Sequence, residues 1–144
     1  MCAGLGADNP SWCRKAVDVA ISAASIRPEP DASMDGGLCH GSAGLSLIFN
    51  CLYQISGYAT LREGALYWLE HTLAMRKPDR GIAGFQAWGP GESEKLEWQD
   101  DPGLLTGAAG IGLVLIASTS AVEPAWKSAL LLPDLPRSET DSSK

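Results

Sequence analysis

Most of the reactive chemistry available to this chain of 144 residues lies in four cysteines and two histidines, and only Cys39 has a histidine beside it, His40. Thiolate sulfur and imidazole nitrogen are both good metal donors. There is no Cys-x-x-Cys pair, so no zinc-ribbon or zinc-finger spacing stands by itself. Taken alone, the dipeptide fits a packed core as well as it fits a metal site. Cys51 falls in the middle of a helical pattern and reads as core, and His71 reads as a packing or solvated side chain.

Disulfides would require a secreted setting. The first residues, Met1 to Pro10, have neither a basic region nor an extended apolar one, so a signal peptide is not supported and a cytoplasmic location is expected. The longest apolar candidate, Ile111 to Ala117, is far too short to cross a bilayer. The net charge is −6 and the 11 Lys and Arg residues are scattered, which leaves no electrostatic footprint for a nucleic acid.

The elements that must position these residues are helical. Ser11 is a candidate N-cap, and Trp12, Ala16, Val19, Ala20, Ala23 and Ile26 recur at helical steps until Pro28 and Pro30 end the pattern. A polar loop, Glu29 to Gly37, follows. A second helix is predicted from about Ser42 to Ile55, apolar around most of its circumference and stopped by Gly57. A third, from about Thr60 to Arg76, is amphipathic. The stretch Lys77 to Gly103, with five Gly and three Pro, reads as a long functional loop in which Trp88 and Trp98 either pack or line a peptide surface. Its Glu92-Ser93-Glu94-Lys95 run reads as solvated. A fourth helix is expected from about Gly107 to Ser120, with a short turn around Glu123 to Leu132. No strand pattern competes, so the fold class is all-α.

The chain also repeats itself. Leu38-Cys39-His40-Gly41-Ser42-Ala43-Gly44-Leu45-Ser46-Leu47 aligns with Leu104-Leu105-Thr106-Gly107-Ala108-Ala109-Gly110-Ile111-Gly112-Leu113, as Leu-x-x-Gly-x-Ala-Gly-(Leu/Ile)-x-Leu. Each copy opens an apolar helix. Two glycines at a helix start allow a close approach to a neighbour and leave first-turn amides open to a ligand.

Gly37-Leu38-Cys39-His40-Gly41-Ser42-Ala43-Gly44 resembles the LCHGxxG motif of the lanthionine synthetase C-like family. The order downstream agrees: Asn50 and Leu52-Tyr53, Tyr67-Trp68 with Thr72-Leu73, Gly84-Phe85-Gln86-Ala87-Trp88, Pro102 to Leu113, and Val122-Glu123-Pro124-Ala125-Trp126. The resemblance implies part of an (α/α) toroid of inner and outer helices, about its last two helix pairs. On this reading residues 1–132 form the C-terminal portion of the cyclase domain, and 133–144 a disordered polar tail. It also implies one zinc ion held by three protein ligands, of which Cys39 and His40 are the second and third. The implied reaction adds a peptide cysteine thiol to dehydroalanine or dehydrobutyrine, closing a thioether ring. The implied partners are a precursor peptide with dehydrated Ser and Thr, and a missing N-terminal part of the cyclase or a dehydratase.

The chain departs from the family pattern at the first zinc cysteine, which belongs to a WCxG-type motif. Ser11-Trp12-Cys13 is followed by Arg14-Lys15 instead of the expected glycine, and Cys2 lacks the motif altogether. The family's acid and base groups also lie upstream, so the catalytic residues are unknown here. The alternative expectation is a non-catalytic remnant or peptide-binding module without a complete zinc site.

Overall fold

The computed structural model describes residues 10–27, 34–91, 94–120, 124–130 and 132. The proposed tail at 133–144, Cys2, Pro28 and Pro30 lie outside the described residues, as does the side chain of Cys13.

Four α-helices account for most of the described structure: α1 (Pro10–Ala24), α2 (Ser42–Ser56), α3 (Ala59–Ala74) and α4 (Ala108–Thr119), followed by a 3-10 helix at Ala125–Leu130. Helix α1 begins one residue earlier than its expected cap, with Pro10 in the first turn, where a missing N–H is harmless. Its end is closed by Arg27, whose guanidinium donates to the carbonyls of Ala24 and Ile26 and lies over the Tyr67 ring at 4.4 Å. Helix α2 stops at Gly57, as expected. That residue takes the left-handed conformation, with φ of 73°, and donates its N–H to the Tyr53 carbonyl.

Helix α2 is the hub, packing against both α3 and α4, while α1 lies against α3. One apolar cluster joins Leu38, Leu47, Cys51, Phe85, Ile111 and Val114, with Trp126 and Leu130 of the 3-10 helix against it. A second joins Ala24, Phe49, Leu61, Ala65 and Trp68. The α1–α3 approach is close because Gly64 has no side chain: a Cβ there would lie 2.9 Å from that of Ala24. Between α2 and α3 a buried polar contact runs from Ser42 to Thr72, Oγ to Oγ1, at 2.7 Å.

The buried face of α1 is narrower than its periodicity implies. Ala24 is buried and Ala20 and Ile21 pack at the edge, but Trp12 and Val19 are 63% and 68% exposed and Ile26 is exposed as well. No described segment covers these side chains. Likewise α4 buries Ile111 and Val114 but leaves Ile116 exposed.

The all-α class holds, with one correction inside the long loop. Ala87–Pro90 (β1) and Leu96–Gln99 (β2) form a two-stranded antiparallel ribbon in which Ala87 faces Gln99 and Trp88 faces Trp98. The two indoles meet at 5.3 Å between centroids, a cross-strand aromatic pair of the kind that stabilises short ribbons. Gly91 and Lys95 close the turn with an N–H to carbonyl bond of 2.8 Å.

Candidate metal centre

Cys39 and His40 sit in the turn just before α2, and both are exposed. The turn is held from two sides. The Cys39 amide donates to the Leu105 carbonyl at 2.8 Å, which ties this loop to its repeat before α4. Beneath the turn lies Asp35, only 1% exposed. A buried carboxylate needs donors, and Asp35 has them: the Gly37 amide reaches Oδ1 and the Trp88 amide reaches Oδ2, each at 2.9 Å. The Nε2 of His40, whose side chain is 56% exposed, stands 3.8 Å from Oδ2.

The repeat proves to be three residues longer than the shared Leu indicates. Asp101 occupies the place of Asp35. Its Oδ1 accepts from the Gly103 amide at 2.6 Å, and its Oδ2 accepts from the Thr106 hydroxyl at 2.5 Å. The backbone carbonyls match too: Asp35 accepts from the Ser42 amide at 3.0 Å and Asp101 from the Ala108 amide at 2.9 Å. The common unit is therefore Asp-x-Gly-Leu-x-x-Gly-x-Ala-Gly, with Cys39-His40 in the first copy and Leu105-Thr106 in the second.

This geometry corrects one expectation. Two of the first-turn amides of α2 are not open to a ligand, because Ser42 and Gly44 donate to the carbonyls of Asp35 and Gly37 in their own loop. The glycines serve the same folded loop. A Cβ on Gly41 would fall 2.5 Å from the Asp35 carbonyl and 2.6 Å from its Oδ1. On Gly107 it would fall 2.2 Å from the Asp101 carbonyl. The loop is wrapped back over the helix start, and side chains there would push it off.

In kind, the donors present fit zinc: one thiol and one imidazole on adjacent, solvent-facing residues. In number they do not, since the described residues contain no group of three His, Cys, Asp or Glu side chains able to hold a metal. The Asp35 carboxylate is already committed to two backbone amides.

A cleft of about 270 Å3 lies elsewhere, lined by Met34, Gly36, His71, Lys77, Phe85 and Trp98 among others. Trp98 borders this cleft and packs on Trp88. His71 stacks on Tyr67 and meets Trp68 edge-on, in keeping with a packing role. Cys51 is buried in the first apolar cluster. Asp35 escaped the sequence reading, although its match to Asp101 at the period of the repeat was available to find it.

The fold and the paired loops belong to a recognisable class. The family model described as lanthionine synthetase C-like protein matches residues 20–131, and the chain is a member of that family. No curated protein matches the chain. Among the described residues no helix is long and apolar enough to cross a membrane.

Proposed function

We propose that the chain is the C-terminal, metal-bearing part of a zinc-dependent lanthionine synthetase, acting on a precursor peptide with dehydrated Ser and Thr. The observation that carries this reading is the exposed Cys39-His40 pair, displayed on a fixed turn in a chain of this family. Cys39 and His40 would hold the ion, with a third donor supplied from outside the described residues. The chemistry such a centre supplies is a substrate thiol kept as thiolate at neutral pH, where a free thiol of pKa about 8.5 is mostly protonated.

In the reaction the thiolate sulfur bonds to the β-carbon of a dehydroalanine or dehydrobutyrine. The π electrons of the alkene move toward the α-carbon and its carbonyl, and a proton then closes the α-carbon. The net change is one C–S bond and one C–H bond gained, one S–H bond and one π bond lost. Within this scheme the chain's own part is to present two donors and to keep their turn rigid. The proton donor and acceptor are assigned to no residue here.

A second reading has one observation in its favour, the lack of a third donor among the described residues. It makes the chain a peptide-binding module or remnant. Zinc content of the purified protein decides between the two. The cyclase reading expects near-stoichiometric zinc that disappears in Cys39→Ala. Zinc well below one per chain, unchanged by that substitution, favours the module.

A further inference from the structure

The cleft that Trp98 borders differs in charge from the rest of the molecule. The chain carries a net charge of −6, yet the described residues lining this cleft include Lys77 and Arg80 and no Asp or Glu. Both cations are exposed, and among the described residues neither side chain forms an ion pair.

Their backbone is fixed. Both stand on the turn that leaves α3, where the Lys77 amide donates to the Gly84 carbonyl at 2.8 Å and the Arg80 amide to the Lys77 carbonyl at 3.0 Å. Ile82 and Phe85 exchange both of their backbone bonds, at 2.9 and 3.0 Å, and Arg76 Nε donates to the Ala83 carbonyl at 3.0 Å. Gly81 and Gly84 take φ of 64° and 95°, which lets the turn double back. Two positive charges are thus gathered at one rim before any ligand arrives, and little backbone ordering is left for binding to cost.

The rest of the lining is largely apolar. Met34 and Met75 bring thioether side chains, which adapt to the shape of an apolar group. Trp98 is 40% exposed, with its ring packed on Trp88. The volume, about 270 Å3, falls just below the range of about 300–1,000 Å3 for sites that enclose a whole small molecule. It suits one or two side chains of a longer chain lying across it.

We propose that this cleft binds an acidic peptide segment. A Glu or Asp carboxylate meets Lys77 and Arg80, and a neighbouring apolar side chain sits against Met34, Met75 and Trp98. Charge complementarity selects this occupant, since a carboxylate pairs with an ammonium and matches the planar fork of a guanidinium. An acidic residue beside an apolar one carries both chemistries within one or two positions. A nucleic acid would bring a dense row of phosphates toward a chain of net charge −6 and leave the thioethers unused. The site needs no metal at the Cys39-His40 turn, so the zinc content of the chain has no bearing on it.

Fluorescence anisotropy with the full chain tests this. The probe is a labelled, C-terminally amidated peptide with two glutamates flanking Leu-Phe in a Gly-Ser background. Saturable binding is expected, weakened about tenfold or more when glutamine replaces both glutamates and again when serine replaces Leu-Phe. Lys77→Glu combined with Arg80→Glu should lose as much, and should now favour the peptide with lysine in place of glutamate. Arg14→Glu with Lys15→Glu, the same charge change on α1, should bind as the unaltered chain does. No saturable binding overturns the proposal, as does equal binding of either altered peptide, and these arms decide even where the Lys77 and Arg80 variant fails to fold. A folded variant with unchanged affinity overturns it too. Inorganic tripolyphosphate that binds as tightly and displaces the peptide would make the cleft a general anion site, and a dimer abolished by the same variant would assign it to a second copy; either result overturns the peptide assignment.

Discussion

The amide of Cys39 donates to the carbonyl of Leu105 at 2.8 Å, so the candidate donor residue is bonded directly to the residue at its own place in the other repeat. The two loops are built alike and lean on each other. Damage to the copy without donors should therefore be felt by the fold as a whole, which makes its glycines informative.

Gly107→Ala would put a methyl group 2.2 Å from the Asp101 carbonyl and 2.6 Å from the Gly103 nitrogen, both backbone atoms with little room to yield. The expected cost is about 1–3 kcal/mol of overpacking strain. Gly112 is the opposite case. It lies inside α4 with nothing within 4 Å of a new Cβ. Gly112→Ala should raise stability by about 0.5–1 kcal/mol, the helix-propensity gap between the two residues. Urea denaturation of both variants checks the pair, and equal signs would contradict the geometry.

The buried Ser42–Thr72 contact has a defined direction. Thr72 gives its one hydroxyl proton to the Trp68 carbonyl at 2.8 Å, so Ser42 must donate to Thr72. Thr72→Val keeps the shape but removes the acceptor, leaving Ser42 only the weak sulfur of Met75 at 3.9 Å. A loss of about 1–3 kcal/mol is expected. Ser42→Ala should cost less, because Thr72 keeps its bond to Trp68. Thermal melts of the two variants give the order.

Asp101 is held below the ordinary aspartate range, first by the Thr106 hydroxyl and then by the Gly103 amide, against a smaller opposing effect of burial. A carboxyl whose folded value is depressed stabilises the fold above its unfolded value. That contribution is lost as pH falls through the folded value, because the unfolded chain then binds more protons. Thr106→Val removes the leading cause. Its stability should be lower at neutral pH and should fall less steeply below about pH 4. Urea midpoints collected between about pH 2 and 6 measure the slope, and an unchanged acid limb would rule out the Thr106 bond as its source.

Cys39 and His40 are exposed and belong to neither apolar cluster, so the described core is expected to fold without a metal at this turn. Cys39→Ala should alter stability by no more than about 0.5 kcal/mol. A chelator should leave the helical circular dichroism and its melting midpoint in place, unlike a structural zinc site, whose loss unfolds the domain.

The helices were legible because their signals are local. Repeated apolar steps mark α2 and α3, and Gly57 ends α2 where only a left-handed residue fits. The ribbon was not, because its strands have four residues each, one of them holding Gly89 and Pro90, and its stability comes from a Trp88–Trp98 pairing across the turn. Periodicity likewise overstated the core: Trp12 and Val19 obey the helical spacing, yet burial depends on which neighbour is present. At the candidate site the donors were visible by residue type, and the family pattern by motif order. The supporting carboxylate was hidden, since a single Asp in a polar loop looks solvated until a partner 53 residues away supplies its amide.

That long-range amide gives the Trp88 ribbon the role of a strut. Its base, where Trp88 meets Asp35, sets the register of the whole loop beneath Cys39-His40, whereas at its far end the described turn residues Gly91, Glu94 and Lys95 bond to one another. Lengthening the chain at the far end would leave the donor pair where it is. A single residue inserted between Phe85 and Trp88 would swap which amide faces the carboxylate and so unseat the pair from a distance. Natural or engineered variation in this segment should accordingly concentrate at the tip and spare the root.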